Sequence, residues 1–328
     1  MNKKAFNLKE FLINYGVILV MIILVVITSI KSPNFLSSNN LMNLLLNMSA
    51  RLVIALGIAG CVITAGCDLS AGRMIGLGGC IAGILLQRAD YSGKFYPDME
   101  PMNLFLVIII VMCITAAFGA VTGFFIAFLN VPPFISTLAM MEIVYGLNLI
   151  YTNATPIGGY IDYYTALATK RFLLIPWLVW IAILVAAITW FIFNMTRHGK
   201  YMYAIGANPQ AAEVAGVPVK LTMILIYAKA AAFYGLAGFM LGAKSGGASV
   251  NLGLGYEMEA IAACTIGGVS VTGGRGKVSS AVLGVAVFEL LKAALQFLGV
   301  NANAQWIALG IIIYIAISLD IRKYVTKK

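Results

Sequence analysis

Apolar residues run through this chain in blocks of about twenty, separated by short polar or glycine-rich breaks. A helix needs about 20 apolar residues to cross a hydrocarbon core about 30 Å thick. By that measure ten segments are candidate spans: 12–30, 42–64, 71–87, 103–129, 134–152, 174–195, 219–243, 257–272, 279–298 and 305–321. The third and eighth are short and rich in glycine. The pattern predicts an all-α polytopic membrane protein of about ten transmembrane helices, and an even number puts both termini on one side.

Composition points the same way. Of 328 residues, 61% are hydrophobic and 10% charged, with a mean hydropathy of +0.95; soluble domains carry about 25% charged residues. A net charge of +10 would suggest nucleic acid for a soluble protein. Here it reflects basic residues that hold loops in the cytoplasm, and no nucleic-acid partner is expected. With the N-terminus inside, cytoplasmic segments carry Lys3, Lys4, Lys9, Arg73, Arg197, Lys200, Lys220, Arg275, Lys277, Arg322, Lys323, Lys327 and Lys328. External segments carry only Lys31, Arg88, Lys94, Lys170, Arg171 and Lys244. Both termini and the loop 197–218 are therefore expected in the cytoplasm. The first apolar run is long and no A-x-A site follows it, so a retained span is expected rather than a cleaved leader. External loops are short, and residues 1–328 are expected to form one membrane domain.

Two glycine-rich breaks echo each other at an offset of 208. Ile58, Gly60, Thr64, Gly66 and Gly76 recur as Ile266, Gly268, Thr272, Gly274 and Gly284, a possible pseudo-repeat of the kind transporter halves retain. "TAGCDLSAGRMIG" sets Thr64, Asp68 and Ser70 between apolar spans, and "GGVSVTGGRGKVSS" does the same with Ser270 and Thr272. Glycine at membrane depth exposes backbone polar groups, which is tolerable only inside protein or beside a wet cavity. Pathway lining and a structural turn capped by Asp68 both satisfy that condition.

Ionisable residues in or beside spans are Arg51, Glu142, Lys229, Glu257, Glu259, Glu289 and Lys292. Each is costly in lipid and should face a cavity or a partner. Glu289 and Lys292, three apart on one helix, are placed to pair with each other. Solvation near the outer end of a span accounts for Glu257 and Glu259. Glu142 and Lys229 have no comparably simple explanation. Gly119, Gly123 and Ala127 share a face suited to close helix packing. The five cysteines lie in apolar or glycine-rich sequence and form no C-x-x-C pair. With His198 the lone histidine, metal binding is not expected and the thiols are expected as small buried groups. "GGRGKVSS" lacks the Ser or Thr that a phosphate loop needs after its Lys, so no nucleotide site is expected.

One stretch reads like soluble protein: "YAIGANPQAAEVAGVP", residues 203–218. Asn208 sits where an N-cap belongs, Pro209 fits the first helical position, and Gly216 is a left-handed stop. Two turns of helix are unstable alone in water, and the small alanines give little mass for lipid binding. Such a helix suits a cleft on another protein.

"GKYMYAIGANPQAAEVAGV" resembles the cytoplasmic-loop signature of permease subunits of bacterial ABC sugar importers, the ribose/galactose/xylose family. "DLSAGRMIGLGG", "NVPPFISTLAMMEIVYGLN" and "LGLGYEMEAIAACTIGGVSVTGGRG" resemble its other hallmark stretches, in order along essentially the whole chain. "SARLVIALGIAGCVITAGCDLSAGR" and "FYPDM" resemble the galactose/methyl-galactoside branch. The resemblance implies a permease without catalysis or cofactor of its own, working as a homodimer in the cytoplasmic membrane. Its implied partners are an ATPase subunit below, which uses ATP and Mg, and an extracytoplasmic sugar-binding protein above. Gly206, Asn208, Pro209, Ala211, Ala212 and Gly216 match the loop signature and become a coupling helix with Gln210 and Glu213. Gln210 stands where the family often has Glu, and Ala207 where Gly is common, which weakens a charge contact at 210. Thr64, Asp68, Ser70, Glu142, Lys229, Ser270 and Thr272 are the candidate pathway residues. Two alternatives stay open: the same mechanism carrying ribose, xylose or another sugar, and an ion-coupled secondary transporter with Glu142 or another intramembrane carboxylate as proton relay.

Overall fold

The computed structural model describes residues 8–301, 303–308, 310, 311, 314 and 318. It is helical almost throughout: α1 (Leu8–Lys31), α2 (Ser38–Ile63), α3 (Ala71–Leu85), α4 (Leu104–Phe128), α5 (Pro133–Thr152), α6 (Asp162–Thr169), α7 (Trp177–Met195), α8 (Arg197–Ala207), α9 (Pro209–Val214), α10 (Val219–Ser245), α11 (Tyr256–Gly267) and α12 (Val278–Phe297). A hairpin of two-residue strands, Arg171–Phe172 and Ile175–Pro176, precedes α7.

Among the described residues, six helices are long and apolar enough to cross a membrane: α2, α4, α5, α7, α10 and α12. The chain is a polytopic membrane protein. Two of the ten predicted spans are corrected. Segment 71–87 holds the 15-residue α3 and segment 257–272 the 12-residue α11, and at 1.5 Å per residue neither crosses about 30 Å of hydrocarbon. α1 covers the first predicted span, while most of segment 305–321 and both basic termini lie outside the described residues.

The core is built around α10, which packs against α2, α3 and α4. Without hydrophobic drive between helices in lipid, close van der Waals fit holds such contacts. Small residues permit it. Gly119 and Gly123 of α4 lie against the backbone of Tyr227 and Ile224, as their shared face predicts, and Gly78 of α3 lies against Gly235. Several threonines inside the bundle are satisfied locally. The hydroxyls of Thr115, Thr122, Thr152 and Thr189 each donate to the carbonyl one turn earlier, which removes the cost of an unpaired donor in an apolar interior.

The two short helices run in opposite directions from a common level. Gly72 in the first turn of α3 stands against the Glu257 carboxylate in the first turn of α11, and Gly253 closes over Ile75. From there α3 runs parallel to α10, Ile75 and Gly79 lying beside Gly238 and Gly242. α11 runs parallel to α2, with Arg51 beside Glu259 and Ala55 beside Cys264. Two helix N-termini thus meet inside the protein.

Candidate functional site

At one end of the bundle, α8 and α9 form a knob. The Asn208 side chain accepts a hydrogen bond from the Ala211 N–H at 2.9 Å, Pro209 occupies the first position, and Gly216 has φ +80°. This capping is local chemistry and matches the expectation. Ala212 is buried and anchors the helix, whereas Pro209, Gln210, Ala211, Glu213 and Gly216 are exposed and Val214 is 91% exposed.

The root of the knob is wedged into both glycine-rich breaks. A Cβ on Gly206 would run into the Ile63 carbonyl and the Gly274 N–H. That N–H itself donates to Ile63 O at 2.8 Å, and the Tyr203 hydroxyl donates to Gly276 O at 2.8 Å. Residues far apart in sequence, 63–65, 206–207 and 273–276, therefore form one joint. Nothing in the sequence linked them beyond the echo between the two breaks. His198 at the base of α8 is half-buried, and burial, with the nearby Lys229, lowers its pKa from 6.5 to about 4. It is neutral at physiological pH.

Of the candidate pathway residues, Thr64, Ser270 and Thr272 flank the joint of the two breaks. Thr64 closes α2 by donating to Cys61 O at 2.9 Å. Asp68 is buried and accepts from the Ser70 N–H at 3.0 Å and hydroxyl at 2.6 Å, just before α3. Ser270 and Thr272 share a hydroxyl contact of 2.8 Å inside the second break. Lys229 is half-buried, its ammonium enclosed over the Phe193 ring at 4.4 Å with no hydrogen-bond partner among the described residues. Glu142, the tenth of the 20 residues of α5, is exposed on the protein surface.

Two charged constellations escaped the sequence reading. Glu289 pairs with Arg51 of α2, not with Lys292, and Lys292 pairs with Glu259 at 2.7 Å. Arg51 also reaches Glu259 at 3.1 Å and stacks on Tyr256. Glu257 and Glu259, expected to be solvated, are both buried. Arg73, expected in a cytoplasmic segment, instead sits at the meeting of α3 and α11. It donates to Asn251 Oδ1 at 2.8 Å and lies 3.8 Å over the Tyr145 ring of α5. The only signals available were an arginine just inside a glycine-rich break and the acidic "YEME" following "GLG". The thiols also divide: Cys61, Cys80 and Cys264 are buried as expected, Cys67 is half-buried and Cys113 is exposed. Among the described residues no group of three or more His, Cys, Asp or Glu could hold a metal.

Residues 40–317 match the family described as branched-chain amino acid transport system / permease component. The galactose/methyl galactoside import permease protein MglC of Escherichia coli is 42% identical over 335 residues, covering 100% of this chain and 99% of that protein. Its namesake from Haemophilus influenzae is 40% identical, over 99% and 98%. The ribose import permease protein RbsC of Escherichia coli is 32% identical, covering 96% of each. No solved structure matches the chain.

Proposed function

The chain belongs to the branched-chain amino acid transport system / permease component family, and from that premise we propose that it is the membrane subunit of an ATP-driven monosaccharide importer, carrying galactose or methyl galactoside. Full-length likeness to galactose/methyl galactoside import permeases supports the cargo. The observation that carries the mechanism is the exposed, capped α9 on a rigid root. The chain forms one membrane domain, its ten apolar segments arranged with both termini and the knob in the cytoplasm of a bacterial cell. Pro209, Gln210, Ala211, Glu213 and Gly216 present the knob to a separate ATPase subunit, which holds ATP and Mg. Asn208 caps it, Ala212 anchors it and Gly206 transmits its movement to the joint of the two breaks.

Sugar arrives from an extracytoplasmic binding protein and passes between two copies of this chain. An exposed carboxylate halfway along a span does not face lipid cheaply, so Glu142 lines that passage, with Thr64, Asp68, Ser70, Lys229, Ser270 and Thr272 controlling its inner end. ATP-driven closure of the motor moves the knobs and opens the passage to the loaded binding protein, and hydrolysis resets it. A cysteine at Gln210 should crosslink to a co-purifying nucleotide hydrolase. Labelling of that cysteine from outside intact cells, or uptake driven by a proton gradient without ATP, would overturn the proposal.

A further inference from the structure

Where the first turns of α3 and α11 meet, on the side of α3 that α5 covers, several polar groups gather without closing on themselves. Glu257 is 8% exposed, and its Oε2 has no hydrogen-bond partner among the described residues. Asn148 of α5 is 1% exposed, and its amide lies near the Cys80 thiol without a well-formed hydrogen bond to any of the described residues. Arg73 and Glu257 form no ion pair within 4.0 Å. Asn251 and Met258 are exposed beside them, on a surface level with the middle of a span. Buried polar groups are almost always paired in a resting protein, so this junction is incomplete.

We propose that it is a transient contact site for a neutral polyhydroxylated ring, a monosaccharide in transit; this rests on the importer reading above. One arginine and one carboxylate cancel, so neither an anion nor a cation is favoured. Donors on Arg73 and the amides, and acceptors on Glu257 and the amides, match hydroxyls that both give and accept hydrogen bonds. The Tyr145 ring supplies an apolar face of the kind a sugar's C–H groups cover. Two N-terminal dipoles favour a dense set of acceptors at the same point. A sugar here exchanges hydrogen bonds with water at little net gain, which suits a site that must let go.

The test uses the complete importer, this chain with its co-purifying ATPase and binding protein, in proteoliposomes. N251A and E257Q should each lower galactose uptake several-fold, the scale of one net hydrogen bond. ATP hydrolysis stimulated by the loaded binding protein should stay within about twofold, as coupling lies elsewhere. Uptake at the wild-type rate overturns the site, and so does equal loss of uptake and hydrolysis, which marks a structural role. Separately, N251C in the full chain should react with a membrane-impermeant maleimide above the parent's own cysteines, and methyl galactoside should slow that reaction. No reaction, or no protection, also overturns it. Failure of the wild-type importer to use ATP would sink the importer reading instead, and protection of N251C would still report on the junction.

Discussion

Glu257 and Glu259 stand two residues apart in the first turn of α11, yet they enter opposite worlds. Glu259 joins a closed set in which Arg51, Lys292 and Glu289 supply two positive charges for two negative. Glu257 faces the open junction, with an oxygen opposite Gly72 that has no hydrogen-bond partner among the described residues. The closed set ties α2, α11 and α12 together; the open one leaves hydrogen-bonding capacity unspent at the level where two helices begin. Charge in a membrane protein is thus no uniform sign of function. What separates the two sets is whether the partners are already present.

That contrast can be broken experimentally, and the largest effect should come from the closed set. R51M strands Glu289 and part of Glu259 in an apolar interior, at a cost of about 3–5 kcal/mol. It should lower the thermal midpoint of the detergent-solubilised protein sharply, whereas R73M, half-exposed, should change it little. Adding E289L to R51M leaves the balanced Glu259–Lys292 pair and should restore most of the lost stability, since apolar replacements of buried pairs are often neutral. A double-mutant cycle on the midpoints checks this.

The knob should respond next. G206V drives a side chain into the Ile63 carbonyl and should abolish uptake with the protein still in the membrane. N208A removes one cap, about 1 kcal/mol, and should slow uptake several-fold while N208D does not; transport assays at matched expression distinguish them. The smallest effect belongs to His198. Its folded pKa of about 4 lies below the ordinary 6.5, so the stability gained from keeping it neutral is complete above pH 6.5. That stability is lost as pH falls from 6.5 toward 4. H198Q should flatten the thermal midpoint over that window, a range in which the protein with His198 drifts downward.

Some of this was legible in the residues. The capped α9 could be read because a cap is chemistry among neighbours: Asn208 needs only the N–H of Ala211. Packing through Gly119 and Gly123 was legible for the same reason, their spacing setting a face. The partner of Glu289 was not, because Lys292 and Arg51 are equally plausible on charge and only the approach of α2 chooses. Asp68 and Ser70 were visible as a break, but not the level at which the chain turns back into helix.

By itself the sequence determined that this is a membrane protein, where most of its helices lie, and that one short helix is capped by its own neighbours. Those properties follow from hydrophobic run length and from contacts a few residues apart. Tertiary structure alone decided that α3 and α11 stop short and meet end to end, that Gly206 locks two distant breaks, and which charges are closed and which open. Each depends on packing between segments up to 238 residues apart, and such packing leaves no periodic trace along the chain.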